Sequence, residues 1–337
     1  MLPMFLGIDI SKDWFDAALL QESNLKSDAP ARVKPTHKRF PNNARGFEQL
    51  LNWLKNHKAF RVHACLEATG TYGEALAAFL HEQGHTVSVV NPAQIYHFVQ
   101  TSLSRTKTDK ADAAQIARFC QLHQPQEWTP PAPEIRTLQA LVRRLEALLE
   151  TRQSEKNRRA AGPLAAEVTA SIETVLSFLE GQIKAIKAQI QQHIDKHPGL
   201  KQQHDLLTSI PGIAAVSAAA LLAELGDVSQ FRGARQVAAF AGLVPKIGHS
   251  GTSVHARSVL SKRGSPRLRH ALYFPAMTAL RFNPLIRALR QRLLEKGKAK
   301  MAVLGAAMRK LLHIVFGVLK SGRPFDPNFS AISAAGA

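Results

Sequence analysis

The hydrophobic periodicity of the chain changes at the Pro-rich segment QPQEWTPPAP, residues 124–133. Before this segment, short apolar runs such as FLGIDI, FDAALL, RVHACLEA and HTVSVV alternate with helical patterns. That order predicts an α/β layer fold that begins with a hairpin of two strands and covers residues 1–125. After the segment, apolar residues recur every three or four positions, so the rest of the chain is predicted to be mainly helical.

Two runs of about three heptads each, at 135–149 and 172–190, follow the Pro-rich segment. Gly162 and Pro163 between them are expected to end the first helix. The pattern predicts two antiparallel helices, either as a hairpin within one chain or as a coiled coil between two chains. We assign residues 126–200 to this coiled-coil linker and expect it to mediate dimerisation.

The third predicted region, residues 201–325, opens with HDLLTSIPGIAAVSAAALLAELG, and residues 326–337 form a tail. A helix, a Pro-Gly-Ile turn and an Ala-rich helix are typical of a helix-hairpin-helix, whose turn offers backbone N–H groups to a DNA phosphate. An ordinary turn between two helices explains the same residues equally well.

The net charge of +19 is concentrated in one part of the chain. Residues 232–323 contain 19 Lys and Arg but a single acid, Glu295, whereas the remainder holds 25 basic and 24 acidic residues. A positive field confined to one region indicates a polyanionic partner. Nucleic acid is favoured over an anionic membrane, because the basic residues are interleaved with Gly, Ser and Pro and form no amphipathic stripe.

Neither the cysteines nor the apolar segments point to secretion or to a membrane. Cys65 and Cys120 are the two cysteines, too few for a disulfide framework and not in a C-x-x-C pair, which favours a reducing cytoplasm. The N-terminus lacks the features of a signal peptide. The most apolar stretch, MAVLGAAMRKLLHIVFGVLK, carries Arg309 and Lys310 in its middle, so we expect a buried helix there.

Four acidic residues occupy positions that can converge. Asp9 ends the first apolar strand, Glu67 ends the third clear strand, and Asp109 and Asp112 stand three apart at the start of a helix. Each one alone has a structural explanation as a turn residue, a helix cap or a first-turn acid. Strand ends at one edge of an α/β sheet form the usual ligand crevice, however, and an i,i+3 pair can reach into it.

Carboxylates that meet in one crevice repel each other unless a cation compensates them. Oxygen ligands suit Mg²⁺ or Mn²⁺, and two such ions can promote phosphoryl transfer. The four acids therefore predict a divalent metal site, and the basic residues around Asp109 and Asp112 are suited to attracting a phosphate backbone.

The acidic positions resemble the DEDD site of RuvC-like (RNase H-like) nucleases. The segments GIDISK, LEATGTYGEALAAFL, VNPAQIYHF and KTDKADAAQIA are similar to those of the DEDD transposases of bacterial insertion sequences that are guided by a bridge RNA. The similarity continues through LLTSIPGI, ARQVAAFAGLVP, SGTSV, SKRGSPRLRHALY and GAAMRKLLHIVFGVLKSG, in the same order. The resemblance implies a RuvC-like catalytic domain, Mg²⁺, a non-coding guide RNA, donor and target DNA, and a homodimer that assembles to a tetramer on DNA.

The resemblance also implies a nucleophilic serine, which matches Ser250 in PKIGHSGTSVHARS. Gly248 and Gly251 flank this residue in what is expected to be a loop, and four basic side chains nearby could bind phosphate: Lys246, His249, His255 and Arg257. Thr252, Ser253 and Ser258 are alternative hydroxyls. In the family, the serine and the acidic site come from different protomers, and the product is a 5′-phosphoserine link to DNA.

Three functions are consistent with these residues. The first is a transposase or recombinase that uses the four acids with Ser250. The second is a metal-only RuvC-like resolvase or nuclease without a serine nucleophile. The third is a nucleic-acid-binding protein whose acids are structural. The resemblance favours the first, acting in the bacterial cytoplasm at the nucleoid. Specificity would then lie in base pairing with the RNA, so the protein sequence does not reveal the target.

Overall fold

A computed structural model of the chain describes residues 4–21, 35–68, 72–101, 109–246, 249–250, 254–255 and 259–328. These residues form two compact units, 1–130 and 131–337. The first unit is a mixed α/β structure and the second is mainly helical. The change at the Pro-rich segment is therefore confirmed as a change in structural class, while the division of the helical part at residue 200 stays a prediction.

The described residues of the N-terminal unit form one five-stranded sheet and four helices. In chain order these are β1 (Met4–Ile10), β2 (Trp14–Gln21), β3 (Thr36–Pro41), α1 (Ala44–Asn56), β4 (His63–Glu67), α2 (Glu74–Glu82), β5 (Thr86–Val90), α3 (Pro92–Thr101) and α4 (Asp109–His123). The strand order is β3-β2-β1-β4-β5. Strand β2 is antiparallel to both β1 and β3, and β4 and β5 continue the sheet parallel to β1. The predicted hairpin of the first two strands is confirmed.

Strand β3, with the sequence THKRFP, was not predicted from the sequence. It lies at the edge of the sheet and only Phe40 is buried, so it lacks the apolar alternation by which a strand is recognised. Its presence corrects the strand count, because Glu67 ends the fourth strand along the chain and not the third.

Side chains alternate between the two faces of this sheet. Leu6, Ile8 and Phe15 pack on one face with residues of α1 and α2, whereas Phe5, Leu20 and Cys65 pack on the other with residues of α3 and α4. Helix α4 approaches β1 at Gly7, where a Cβ atom would stand 2.1 Å from the carbonyl oxygen of Ala113. A glycine is therefore required at this point by the close contact of two backbones.

The C-terminal unit consists of α5 (Pro133–Ala160), α6 (Ala166–Lys196), α7 (Pro198–Thr208), α8 (Ala215–Leu225), a short 3-10 helix (Val228–Gln230), α9 (Ala234–Phe240), four two-residue strands, α10 (Pro266–Phe282), α11 (Pro284–Glu295) and α12 (Lys300–Ser321). The strands are β6 (Pro245–Lys246), β7 (His249–Ser250), β8 (Val254–His255) and β9 (Val259–Leu260). Apolar residues of its helices form one continuous core.

Helices α5 and α6 pack against each other as an antiparallel pair. Leu138 and Leu145 of α5 are buried together with Ile183 of α6, and a ring nitrogen of His193 lies 2.8 Å from the carbonyl oxygen of Glu134 at the opposite end of the pair. Leu148 is buried, while Leu149 is only partly buried. The hairpin within one chain is thus present, and a coiled coil between two chains stays a prediction.

The Pro-Gly-Ile turn joins α7 and α8 as predicted. Gly212 has a φ of +108°, and a Cβ atom there would stand 2.8 Å from the Cβ atom of Ala279 in α10. The carbonyl oxygen of the preceding residue, Pro211, accepts a hydrogen bond from the side-chain amide of the buried Asn283 at 3.5 Å. These contacts give the glycine a packing role inside the unit, and phosphate binding by this turn stays a prediction.

Helix α12 has the length and hydropathy of a membrane span, and in the part of the chain that the structure describes it alone meets both conditions. However, 56% of the most apolar stretch of this helix is buried inside the unit. Leu311, Leu312 and Val315 are fully buried in the core, next to residues of α9 and α10. The prediction of a buried helix at this position is confirmed.

Candidate catalytic site

Asp9 and Glu67 lie side by side at one edge of the sheet. Strands β1 and β4 are parallel with Ile8 opposite Leu66, so the next residue of each strand reaches the same level. Alternation places both carboxyl-bearing residues on the face that also carries Gly7 and Cys65, which is the face that α4 covers. Both residues are half-buried.

Helix α4 runs antiparallel to β1 and brings its N-terminal turn to this edge. Ala113 and Ala117 contact β1 at Gly7, while Cys120 lies near the His63 carbonyl at 3.5 Å, further toward the start of the strands. Two strand residues beyond Gly7 span roughly 6.6 Å, which equals about four to five residues of helix. The level of Asp9 therefore corresponds to the segment of α4 between Asp109 and Asp112.

Asp9 and Glu67 share an edge and a face, but the carboxylates that the structure describes do not form a ready-made metal site. Among the His, Cys, Asp and Glu side chains that the structure describes, no group of three or more is arranged to hold a metal ion. Asp112 is half-buried, and Asp109 is described by its backbone, as the first residue of α4. The donor chemistry, four carboxylates, suits Mg²⁺ or Mn²⁺, and the complete site stays a prediction.

A fifth acid, Asp16, was missed by the sequence analysis. It lies on β2 directly opposite Asp9, and only 5% of its surface is exposed. A ring nitrogen of His37 lies 2.7 Å from one carboxylate oxygen, and the other oxygen accepts from Arg39 Nε at 3.0 Å. The signal was present in FDAALL, where an acid interrupts an apolar strand, but its partners lie on the unpredicted strand β3.

The side chain of Asn42 connects three turns at the same edge. Its amide nitrogen donates to the carbonyl oxygens of Ser11 at 3.0 Å, Lys12 at 3.4 Å and Tyr72 at 3.1 Å. Ser11 and Lys12 belong to the β1–β2 turn, and Tyr72 belongs to the segment that precedes α2. The amide thereby holds together the turns that flank Asp9.

The two cysteines face each other between β4 and α4, nearer to the start of the strands than the acidic residues. Both are fully buried. The hydrogen bond with the Cys120 thiol and burial raise the pKa of Cys65, which therefore stays a neutral thiol. Their contact belongs to the packing of α4 on the sheet.

Ser250 lies in the short strand β7 and not in a loop, which corrects the sequence-based prediction. Its backbone pairs with Val254 of β8, and His249 pairs with His255. Strands β6 and β9 form a separate pair through Lys246 and Val259. Two-residue strands carry no recognisable periodicity, so the loop prediction followed from the glycines alone. The other residues singled out in this segment lie outside the described residues: Gly248, Gly251, Thr252, Ser253, Arg257 and Ser258.

Positive charge also perturbs the interior of the C-terminal unit. Burial, followed by the charges of Arg309, Lys310 and Arg235, lowers the pKa of His313 on α12. These residues lie where α9 packs on α12. The His313 ring therefore lies among three of the basic residues of segment 232–323.

Comparison with known proteins identifies relatives of this chain. A DEDD transposase model of the IS110 type, described as "Transposase", matches residues 6–161, and a second model, "Transposase IS116/IS110/IS902 family", matches residues 204–291. The pilin gene-inverting proteins of Moraxella bovis and Moraxella lacunata are each 34% identical over 329 residues, which cover 97% of this chain and 98% of theirs. An uncharacterised 43.6 kDa protein of the insertion element IS110 of Streptomyces coelicolor is 29% identical over 49% of this chain and 39% of its own length.

These similarities define an enzyme of the DNA transposase and recombinase class. The chain belongs to the IS116/IS110/IS902 family of insertion-sequence transposases.

Proposed function

We propose that the protein cuts and exchanges DNA strands at a composite centre made of the acids Asp9, Glu67, Asp109 and Asp112 together with Ser250. The observation that carries the proposal is the placement of Asp9 and Glu67 at the same end of adjacent parallel strands, on the face that the N-terminal turn of α4 approaches. The strand order β3-β2-β1-β4-β5 supports a RuvC-like (RNase H-like) assignment of this unit.

The acids would hold Mg²⁺ or Mn²⁺, which supplies charge stabilisation at the oxygens of the reacting phosphate. The carboxylates are not arranged as ligands in the described structure, so the proposal includes their closing around the cation.

Ser250 would act as the nucleophile. Its hydroxyl oxygen attacks the phosphorus of a DNA phosphodiester, its proton is released, and the bond from phosphorus to the 3′ oxygen breaks. The 3′ oxygen takes up a proton and leaves as a hydroxyl, and a 5′-phosphoserine ester remains. One phosphate ester replaces another, so strand exchange needs no external energy source. Lys246, His249, His255 and Arg257 are the basic residues suited to binding the phosphate there.

The proposal also includes the partners. A non-coding bridge RNA selects donor and target DNA by base pairing, and the basic segment 232–323 binds the nucleic-acid backbones. Two protomers associate through α5 and α6, and two dimers assemble on DNA, so that acids and serine of one centre come from different protomers. The reaction would take place in the cytoplasm, at the nucleoid.

The decisive experiment is the detection of a covalent link between the protein and DNA. Nucleic acid that co-purifies with the protein is sequenced first, and it provides the RNA and the labelled DNA substrate. We expect wild type with Mg²⁺ to give a band that resists denaturing electrophoresis and maps to Ser250. Ser250→Ala should bind DNA but form no adduct, because no hydroxyl remains to attack the phosphorus.

Asp9→Ala and Glu67→Ala should likewise bind DNA without cutting it. Mixing Asp9→Ala with Ser250→Ala should restore part of the activity, since one mixed centre then contains both intact halves. Cleavage by Ser250→Ala at the wild-type rate, or an adduct at Ser253 or Ser258, would reject the serine assignment and favour the metal-only nuclease. Full activity of Asp9→Ala would reject the metal centre.

A further inference from the structure

A row of charged residues crosses three strands beside the proposed metal site. In the register of the sheet, Asp9 of β1 is opposite Asp16 of β2, and Asp16 is opposite Arg39 of β3. Residues directly opposite each other in antiparallel strands point to the same face. The row Asp9–Asp16–Arg39 therefore lies on the face that α4 covers at β1, with Arg39 on the edge strand β3.

Asp16 holds the guanidinium of Arg39 in place. Arg39 Nη2 is 2.8 Å and Nε is 3.0 Å from the same carboxylate oxygen, while His37 occupies the other oxygen. The Asp16 side chain is only 7% exposed, whereas the Arg39 side chain is 51% exposed. A buried carboxylate thus fixes a cation whose outer part faces solvent, which lowers the entropy lost when that cation binds an anion.

The distance between this cation and the acids suits a neighbouring phosphate. Adjacent strands are about 4.8 Å apart, so the backbone of Arg39 is roughly 10 Å from that of Asp9, two strands away. The guanidinium itself lies nearer to Asp9 than the Arg39 backbone does, because it reaches Asp16 on the strand between them. From there it can contact the phosphate next to the one at the acids.

We infer that Arg39 is a DNA-phosphate contact that orients the strand entering the acidic site, and that Asp16 is the positioning residue that holds Arg39. The position of the acids as the reacting centre rests on the proposed function, whereas the binding of phosphate by Arg39 does not. Arginine is suited to this role because its guanidinium stays charged and its planar donors match the geometry of a phosphate.

The chain offers a matched control in the adjacent residue. Lys38 carries the same charge on the same strand but belongs to the opposite face, where its ammonium lies 5.4 Å from the ring centre of Phe40. Arg39→Gln and Lys38→Gln therefore change the net charge equally. They differ in the face from which the charge is removed and in the ion pair with Asp16, which only Arg39→Gln breaks.

The first measurement is the affinity of the full-length protein for a labelled DNA duplex as a function of salt. Arg39→Gln should weaken binding by about tenfold at low salt and reduce the slope of log affinity against log salt by about 0.9, as the loss of one phosphate contact predicts. Asp16→Asn should shift both quantities in the same direction, and Arg39→Lys should recover part of the slope. Lys38→Gln should retain the wild-type slope.

The second measurement locates the contact. Single phosphates around the cleavage site are replaced by uncharged methylphosphonates. For wild type, one methylphosphonate beside the reacting phosphate should lower the rate of DNA cleavage. For Arg39→Gln, the same replacement should lower the rate no further, because the contact is already lost. Equal salt slopes would overturn the inference if Arg39→Gln and Lys38→Gln are both shown by thermal unfolding to be folded. If Asp9→Ala cuts DNA normally, the proposed function fails, but the comparison of slopes still decides the role of Arg39.

Discussion

His313 shows how burial and neighbouring charges change the pKa of a single residue in the C-terminal unit. Its Nε2 atom is buried and has no hydrogen-bond partner among the described residues. Burial and the charges of Arg309, Lys310 and Arg235 lower its pKa from the ordinary value of 6.5. The folded protein therefore binds a proton at this ring less readily than the unfolded chain does.

This difference predicts a pH dependence of stability. Because the folded pKa is depressed, the stability contributed by neutral His313 is complete above pH 6.5 and is lost as the pH falls below it. His313→Gln, which cannot be protonated, should lose less unfolding free energy than wild type on acidification. Urea unfolding at several pH values measures the difference, with the exposed His97→Gln as control. Parallel pH curves for wild type and His313→Gln would contradict the prediction.

Sequence reasoning reached some residues of the candidate site and not others. Asp9 and Glu67 were accessible because each ends an apolar strand, and the sheet places them together at one edge. Asp16 was not, since its role depends on cross-strand register with Arg39, which no local pattern encodes. Ser250 depended on family resemblance, because its surroundings contain several equivalent hydroxyls.

At the scale of elements, the packing of α4 on β1 positions the helix that carries two of the four acids. The helix contacts the strand at Gly7 without any side chain between the two backbones. A side chain at this point would push the helix away from the sheet, and with it the turn that contains Asp109 and Asp112.

Gly7→Ala is therefore expected to be strongly destabilising. The new methyl group would stand 2.1 Å from Ala113 O and 2.2 Å from Ala117 N, and these backbone atoms cannot move without displacing α4. We expect a loss of about 3 kcal/mol in unfolding free energy and loss of DNA cleavage. Thermal and urea unfolding measure the first effect.

The control for this prediction is Gly181→Ala. Gly181 is exposed on α6, and a Cβ atom there would contact nothing within 4 Å. The substitution should stabilise the protein by about 0.5–1 kcal/mol, since alanine favours the helix. If Gly7→Ala were as stable as Gly181→Ala, the close approach of α4 to β1 would be wrong.

Strongly periodic elements were predictable, and weakly periodic ones were not. The apolar runs of β1, β2, β4 and β5 and the helical patterns of α1 to α4 correspond to observed elements. Strand β3 is polar because it lies at an edge, and β7 is only two residues long. For such elements, pairing with neighbouring strands determines the structure more than local sequence does.

At the scale of the whole molecule, charge is divided between a nearly neutral part and the basic segment 232–323. If that segment reads nucleic-acid backbones, counterion release makes binding strongly salt-dependent. With six or more phosphate contacts, affinity should fall by about a thousandfold between 50 and 200 mM salt. A titration of labelled DNA at several salt concentrations measures this, and a flat response would contradict a backbone-reading role.

Two pairs of substitutions refine this prediction. Replacing the exposed Arg287 and Arg290 of α11 by Gln should reduce the salt slope by up to about two, because two phosphate contacts are removed. Replacing the exposed Lys184 and Lys187 of α6 by Gln removes the same charge outside the basic segment and should leave the slope unchanged. Equal effects of the two pairs would indicate that net charge alone governs binding.

The three hydrogen bonds of Asn42 also bear on the chemical ageing of the protein. Deamidation of this side chain would replace an amide that donates hydrogen bonds by a carboxylate that only accepts them. The new negative charge would then face the carbonyl oxygens of Ser11, Lys12 and Tyr72, and repulsion would separate the turns that the amide joined. One spontaneous reaction at a residue outside the proposed centre would in this way disturb the turn that follows Asp9, so we expect stored protein to lose activity before it unfolds.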